Sequence, residues 1–270
     1  MSHELIMITV AVNGACGRMG SRVVTLACED KDIKLVSALE RDGHPSLKKD
    51  IGTTLGLGNL GVMLTSEIED RADVLIDFSS PEALEKRVDN CVKKGVAMVI
   101  GTTGLNDSHH KKLAQAAKSI PCLVSPNMSI GVNLVFDIVA QVSKALGDGF
   151  DIEIIETHHR FKKDAPSGTA LRIAERICDA TKRNMKTDVV YGRQGITGER
   201  PAKQIGIHAV RLGDTIGDHS VIFSNLGERI EINHRAHSRD TFVRGAITAA
   251  KFIAGKPPGL YTMQDVLRSG

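Results

Sequence analysis

The chain has 270 residues, room for one large domain or two of ordinary size, and its 41% hydrophobic and 25% charged residues are those of a globular protein. A core of useful size is available at this length, so neither metal nor disulfide is needed to hold the fold. A formal net charge of only +3, an aromatic content of 3% and no Trp argue against a nucleic-acid partner, which wants a strong positive field or rings to stack on. The five cysteines, Cys16, Cys28, Cys91, Cys122 and Cys178, form no CxxC and no zinc-finger spacing. They read as reduced thiols, and no metal is expected. The apolar run Leu5 to Val12 lacks a basic leader and a small-residue cleavage site and leads straight into a glycine turn, so it reads as a strand rather than a signal peptide. No stretch approaches the roughly 18 apolar residues of a membrane helix. The expectation is a cytoplasmic protein with no membrane partner.

Ile6–Val12 is a continuous apolar run, as in a parallel strand buried on both faces. Arg18–Glu29 has helical spacing through Val23, Val24 and Ala27, and Ile33–Leu39 is the next strand. Val74–Phe78 follows, then a helix that opens at Pro81, runs to Lys94 and stops at Gly95. Val96–Ile100 is another strand, Ser108–Lys118 a helix and Pro121–Val124 a strand. This alternation predicts βαβ units and a parallel sheet. The pattern then changes. Leu134–Leu146 reads as a helix, Asp151–Glu156 as a strand and Thr169–Thr181 as a helix. Ile205–Leu212, Ser220–Ser224 and Glu228–Asn233 have strand character with no helix between them. In the last, Ile230 and Ile232 alternate with Glu231 and Asn233, the mark of one buried face. A closing helix spans Thr241–Ala254, followed by a tail after Pro257-Pro258 whose packing the sequence leaves open. The expected architecture is an α/β parallel-sheet domain plus an α+β domain with a mixed or largely antiparallel sheet.

The first strand ends in Gly14-Ala15-Cys16-Gly17-Arg18-Met19-Gly20, and a helix begins at once. A strand, a glycine turn and a helix N-terminus together form an anion site, because absent Cβ atoms admit a pyrophosphate to the backbone N–H groups. The spacing is G-x-x-G-x-x-G, with Cys16 where the strict G-x-G-x-x-G fingerprint has its middle glycine. An ordinary tight turn is the bland alternative, but position in the first βα unit favours a dinucleotide. Glu40, at the end of the second strand, is placed to accept from ribose hydroxyls, and Arg41 beside it to pair with a 2′-phosphate. Acid and base side by side suggest use of both NADH and NADPH. Gly101-Thr102-Thr103-Gly104 and Ser125-Pro126-Asn127-Met128 end two further strands and are placed to line the same cleft.

The most informative stretch is Glu156-Thr157-His158-His159-Arg160-Phe161-Lys162-Lys163-Asp164-Ala165-Pro166-Ser167-Gly168-Thr169. Two histidines and three cations follow a strand, and Pro-Ser-Gly-Thr opens a helix whose N–H groups and hydroxyls face an anion. Such a site suits a substrate with one or two carboxylates, and the histidines can move protons near neutral pH. A solvated basic loop, a phosphate grip and a metal site on the two histidines are the competing readings. Adjacent histidines chelate one ion poorly.

The turn Gly14–Gly20, the turn Gly101–Gly104 and above all the run Ile154–Ala170 resemble the dihydrodipicolinate reductase family. Thr197–Arg200, Arg211–Asp214 and Gly227–Ile232 extend the resemblance along nearly the whole chain. It implies a Rossmann domain, 1–130 completed by 241–270, and a substrate-binding and tetramerisation domain, 131–240. The implied partners are NADH or NADPH, a small cyclic dicarboxylate and three further copies of the chain. The implied activity is reduction of dihydrodipicolinate (4-hydroxy-tetrahydrodipicolinate) to tetrahydrodipicolinate in diaminopimelate and lysine biosynthesis. By motif match, Gly14, Ala15, Cys16, Gly17, Arg18 and Met19 hold the pyrophosphate, with Glu40 on the ribose and Arg41 on the 2′-phosphate. Gly101, Thr102, Thr103 and Ser125, Pro126, Asn127, Met128 border the nicotinamide half. His158 is the implied catalytic proton carrier and Lys162 a proton donor, with His159, Ser167, Gly168, Thr169 and Thr103 at the substrate. Phe161, where the family often has a polar residue or histidine, and Cys16 depart from the pattern.

Two other functions fit parts of the same sequence. A different Rossmann reductase acting on a dicarboxylate or semialdehyde shares the glycine turn but need not carry His158-His159 with Lys162. A non-catalytic dinucleotide sensor has no use for proton donors in its anion site.

Overall fold

The computed structural model describes residues 7–69 and 71–269. In chain order the elements are β1 (Ile8–Asn13), α1 (Arg18–Glu29), β2 (Ile33–Leu39), α2 (Ile51–Leu55), β3 (Leu64–Thr65), β4 (Val74–Asp77), α3 (Pro81–Lys94), β5 (Ala97–Ile100), α4 (Asp107–Ala116) and β6 (Pro121–Val124). Then come α5 (Ile130–Leu146), β7 (Asp151–His158), α6 (Gly168–Thr181), β8 (Val189–Tyr191), β9 (Ile205–Arg211), β10 (Asp218–Ser224), β11 (Arg229–Arg235), α7 (Asp240–Ile253), β12 (Gly259–Tyr261) and α8 (Met263–Leu267). Of the expected first strand, Ile6 lies outside the described residues.

Two compact units result, Met1–Ile130 with Asp240–Gly270, and Gly131–Arg239. The first holds a seven-stranded sheet in the order β12-β6-β5-β4-β1-β2-β3. Every pairing in it is parallel. Alternation along β1 sends Val10 and Val12 to one face and Ala11 to the other. Both faces are covered: α1 and α7 lie over the first, α3 and α4 over the second. The helix ends follow from local chemistry. In α3, Pro81 stands at the start, Glu82 in the first turn, Lys93 and Lys94 in the last, and Gly95 caps the end at φ +69°.

The closing helix α7 buries Val243, Ala246, Ile247, Ala249, Ala250 and Ile253 in this first core. Each larger side chain so removed from water contributes on the order of 1.5–3 kcal/mol. Gly245 lets the helix touch the chain at Met128, where a Cβ would meet the carbonyl oxygen at 1.7 Å. Asp240 opens the helix, belongs to this unit and binds Arg22 through two hydrogen bonds of 2.9 and 2.7 Å. The tail that the sequence left open adds β12 to the sheet edge beside β6.

The second unit has a five-stranded mixed sheet, β11-β10-β7-β9-β8. The β10 pairings are antiparallel, and β7, β8 and β9 run parallel. Helices α5 and α6 pack on one face through Val132, Val135, Phe136, Val139, Ile173 and Ile177, against Ile152, Ile154, Val221 and Phe223. Two expectations need correction. Ile130–Gly149 is a helical stretch of 20 residues with mean hydropathy 1.3, long and apolar enough to cross a membrane by length and composition. Its apolar side is part of this unit's core, so a core helix matches the same composition. Ile230, expected inside, is 39% exposed, because β11 is the edge strand and pairs with β10 on one side only.

Candidate active site

At the glycine turn, β1 ends in buried Asn13, and Gly14 turns the chain at φ +72°. The N–H groups of Gly14 and Ala15 donate to the Leu39 carbonyl at 2.9 and 3.0 Å, which ties the turn to the end of β2. Gly17 is the N-cap of α1 and no side chain caps that helix end. Its first-turn N–H groups therefore face outward for an external acceptor. Gly20 is required by close approach: a Cβ there would lie 2.0 Å from the Gly14 oxygen. Gly17 is tight as well, at 3.1 Å from the same oxygen. Glu40 sits beneath the turn and accepts from the N–H of Cys16 through Oε1 and of Arg41 through Oε2, both at 3.2 Å. The Arg41 and Arg18 side chains are exposed, and Met19 is half-buried. A cradle that a Cβ would fill, an uncapped helix start and a carboxylate at the end of β2 fit a dinucleotide.

At the end of β4, buried Asp77 accepts from the Ser79 N–H at 2.8 Å and from the Thr102 hydroxyl at 3.2 Å. Thr102 is thus buried with its hydroxyl turned inward, so only its backbone can border a ligand, whereas Thr103 and Gly104 are exposed. Gly101 packs on Phe78, whose ring a Cβ would meet at 2.2 Å. The Ser125 hydroxyl donates to the Asn127 carbonyl at 2.7 Å and shapes the turn after β6. Met128 is buried in the core, and Pro126 is exposed.

In the second unit, alternation along β7 places Ile152, Ile154, Glu156 and His158 on one buried face. Two apolar residues give way to an acid and an imidazole as the strand reaches its end. Glu156 is fully buried, and His158 Nδ1 lies 2.6 Å from its Oε2. Arg211 stands opposite His158 on β9 and donates to both Glu156 oxygens, at 2.9 and 3.1 Å. The Ser167 N–H donates to Glu156 Oε1 at 3.0 Å. His219 stands opposite Glu156 on β10, with its ring edge-on to His158 at 5.3 Å between centroids. Its Nε2 is 3.1 Å from the hydroxyl of Ser167, which caps α6 by accepting from the Ala170 N–H.

Burial alone would raise the Glu156 carboxyl, but Arg211, His158 and the Ser167 N–H outweigh it and hold it below the usual carboxylate range. Burial is also the largest influence on His158. It pushes the imidazole below the ordinary histidine value, Glu156 pulls it partly back, and the Lys162 and Arg211 cations push it down again. Burial and the neighbouring His158 push His219 down to about 3. The resulting state is an ionised Glu156 accepting from a neutral His158 through Nδ1, which leaves His158 Nε2 outside this bond. Gly217 leaves room for it: a Cβ there would lie 3.0 Å from Nε2.

The loop after β7 carries the remaining predicted residues. His159 is half-buried, Arg160, Phe161 and Lys163 are exposed, and Lys162 pairs with Asp164 at 2.9 Å. Gly168 and Thr169 open α6 behind the Ser167 cap. The sequence assigns no site role to Glu156, Arg211 or His219, although Glu156 opens the informative run and Arg211 one of the stretches that resemble the family. The spacing of Glu156 and His158, two apart on a strand, is a usable signal; Arg211 opens a stretch that resembles the family but carries no sign of its partner, and His219, on a remote strand, gives none.

The chain matches the family models described as dihydrodipicolinate reductase, N-terminus, over residues 8–128, and dihydrodipicolinate reductase, C-terminus, over residues 131–267. The chain belongs to the dihydrodipicolinate reductase family. Among curated relatives, the 4-hydroxy-tetrahydrodipicolinate reductase of Hahella chejuensis is 49% identical over 97% of this chain and 99% of its own length. That of Syntrophotalea carbinolica is 47% identical over the same shares. Among solved structures, dipicolinate-bound dihydrodipicolinate reductase from Paenisporosarcina sp. TG-14 covers 95% of this chain and 97% of its own, at TM-score 0.75 and 25% identity. The amine dehydrogenase of Mycobacterium smegmatis, at 14% identity and TM-score 0.64, shares the fold alone. The dihydrodipicolinate reductase C-terminal model runs past unit two into α7, which folds with the first unit.

Proposed function

We propose that this chain reduces 4-hydroxy-tetrahydrodipicolinate to tetrahydrodipicolinate with NADH or NADPH, in diaminopimelate and lysine biosynthesis. The observation that carries this reading is the likeness to reductases of that name over 97% of the chain. NADH or NADPH, when bound, supplies the hydride. The turn Gly14–Met19 holds the pyrophosphate, Glu40 the ribose and Arg41 a 2′-phosphate, with Gly101–Thr103 and Ser125–Met128 bordering the nicotinamide half.

The reduced ring then needs a proton, and delivering it is the task of the second unit. Protonated at Nε2, His158 keeps Nδ1–H on the Glu156 carboxylate and is a stronger acid than free histidine, as its lowered pKa requires. Arg211 keeps Glu156 ionised. Lys162 offers a second cation to the site, and His159, Ser167, Gly168, Thr169 and Thr103 bind the substrate. The start of α6 and the surrounding cations favour carboxylates and developing negative charge.

Assembly as a homotetramer through the second unit's sheet is supported by its uncovered face, where Ile155 and Ile222 are half-buried and Val210 is 39% exposed. Light scattering from the purified chain tests this. The cytoplasm suits five free cysteines. The activity itself is tested by oxidation of reduced nicotinamide in the presence of the substrate made in situ.

A further inference from the structure

Cys16 departs from the glycine fingerprint, and His44 lies in a segment, Arg41–Glu69, to which the sequence assigned no role. The fold brings them together. The Cys16 Sγ, a Glu40 carboxylate oxygen and a ring nitrogen of His44 all lie within 4.8 Å of one another. All three residues are half-buried, so water reaches the cluster while each side chain is held. Cys16 is fixed by the turn, Glu40 by the two N–H groups it accepts, and His44 by a contact of its Nδ1 with the Ser46 N–H at 3.2 Å. Among the described residues this is the one group of three or more potential metal ligands that comes so close.

We propose that Cys16, Glu40 and His44 form a site for a borderline-soft divalent cation of the zinc class, and that its occupation excludes the dinucleotide. A thiolate, an imidazole and a carboxylate are the donor set that zinc prefers over magnesium or calcium. Tetrahedral zinc with bonds of 2.0–2.3 Å sets its ligands about 3.3–3.8 Å apart, so these three need to close in by no more than about 1.5 Å. Binding replaces the S–H bond of Cys16 by a metal–sulfur bond, and the thiol proton goes to water. No oxidant or reductant is involved. If His44 binds through Nδ1, the metal replaces the long Ser46 contact. Three protein ligands leave a fourth position for water, the pattern of an open site rather than a closed structural one.

The exclusion rests on the cofactor reading above. Both Glu40 oxygens already accept from an N–H, so a metal bound there competes with ribose hydroxyls for the remaining lone pairs, and an ion on Cys16 stands in the turn meant for the pyrophosphate. The site thus makes reductase activity sensitive to free zinc without touching the proton-transfer machinery in the other unit.

Co2+ is the probe, because cobalt bound to thiolate gives a near-ultraviolet charge-transfer band. The reduced, metal-free full chain is titrated with Co2+, then with Zn2+, and separately with NADPH. The expected result is a saturable band at one equivalent that Zn2+ bleaches. Cys16→Ser abolishes it, Cys28→Ser preserves it, and His44→Ala weakens Co2+ binding more than about tenfold, as ligand loss should exceed an outer-sphere change. The His44→Ala protein still binds NADPH, which shows that it is folded. No band, or a band that survives Cys16→Ser, overturns the site. NADPH expels Co2+ from the wild-type chain; co-binding of both overturns the exclusion. Nicotinamide fluorescence in the metal-free protein reads cofactor binding by itself, so a failed cofactor assignment is told apart from a failed metal site.

Discussion

His158 donates through Nδ1 to a carboxylate that water does not reach: Glu156 is fully buried, 2.6 Å away, and neutralised by Arg211. Glu156 raises the affinity of His158 for a proton while burial lowers it. Glu156→Gln removes the raising influence. We therefore expect the pH above which turnover falls to move lower, and turnover at neutral pH to drop on the order of 10²-fold, within the range of acid–base catalysis. The pH profile of kcat checks this. An unmoved profile would reduce Glu156 to a packing role.

The same burial makes a prediction for stability. His219 is held neutral, with its pKa pushed from the ordinary 6.5 down to about 3. The unfolded chain takes up a proton there as pH falls below 6.5, while the folded chain does not. The stabilisation by neutral His219 is present above the ordinary value and declines as pH falls toward about 3, at up to about 1.4 kcal/mol per pH unit for one proton. His158 and His234, also lowered by burial, act in the same direction. Urea unfolding between pH 7 and 5 should show this loss, with a shallower slope in His219→Gln. Equal slopes would mean that His219 is protonated in the folded protein.

At the glycine turn the two close approaches differ in severity. Gly20→Ala places a Cβ 2.0 Å from the Gly14 oxygen, Gly17→Ala at 3.1 Å. The first must displace backbone and should cost roughly 1–3 kcal/mol in stability, as overpacking does, and abolish NADPH binding. The second should weaken binding with a smaller loss. Thermal unfolding and fluorescence titration rank the two variants, and the reverse order would contradict the turn's geometry.

Much of this was legible because local chemistry marks its own boundaries. The spans of α1, β2, α3 and β6 were read correctly to the residue, since Pro81, Gly95 and the glycine turn punctuate them. Short α2, β3, β8, β12 and α8 were missed, because two to five residues carry too little periodicity and owe their form to neighbours. The site divides the same way. His158 and Lys162 stand in one informative run, whereas Arg211 reaches Glu156 across 55 positions and His219 reaches Ser167 across 52, relations fixed by strand pairing and by where the start of α6 lies, not by local sequence. Cys16, Glu40 and His44 likewise meet only once β2 is laid beside β1.

We expect cofactor choice to turn on Arg41, whose side chain is exposed while its backbone N–H is bound to Glu40. Arg41→Ala should raise KM for NADPH and leave KM for NADH within about twofold, because one charge-assisted phosphate contact is lost and the ribose contact is not. Parallel assays with the two cofactors decide it. Equal losses with both would remove Arg41 from the 2′-phosphate.

Lys162→Ala should raise KM for the dicarboxylate as well as lower kcat, because its ammonium is one of the cations nearest the proton-carrying pair. An unchanged substrate response would leave Lys162 as a partner of Asp164 only.

We infer that His158 carries the proton when 4-hydroxy-tetrahydrodipicolinate is reduced. The most direct test of this role is the loss of reduced-nicotinamide absorbance with substrate generated in situ from pyruvate and aspartate semialdehyde, comparing wild type with His158→Gln. We predict substrate-dependent oxidation of NADH and NADPH by wild type and a fall of roughly two to four orders of magnitude in the variant, with cofactor binding retained. Wild-type turnover in His158→Gln would contradict the role of His158, and no substrate-dependent oxidation by the wild type would contradict the reductase itself.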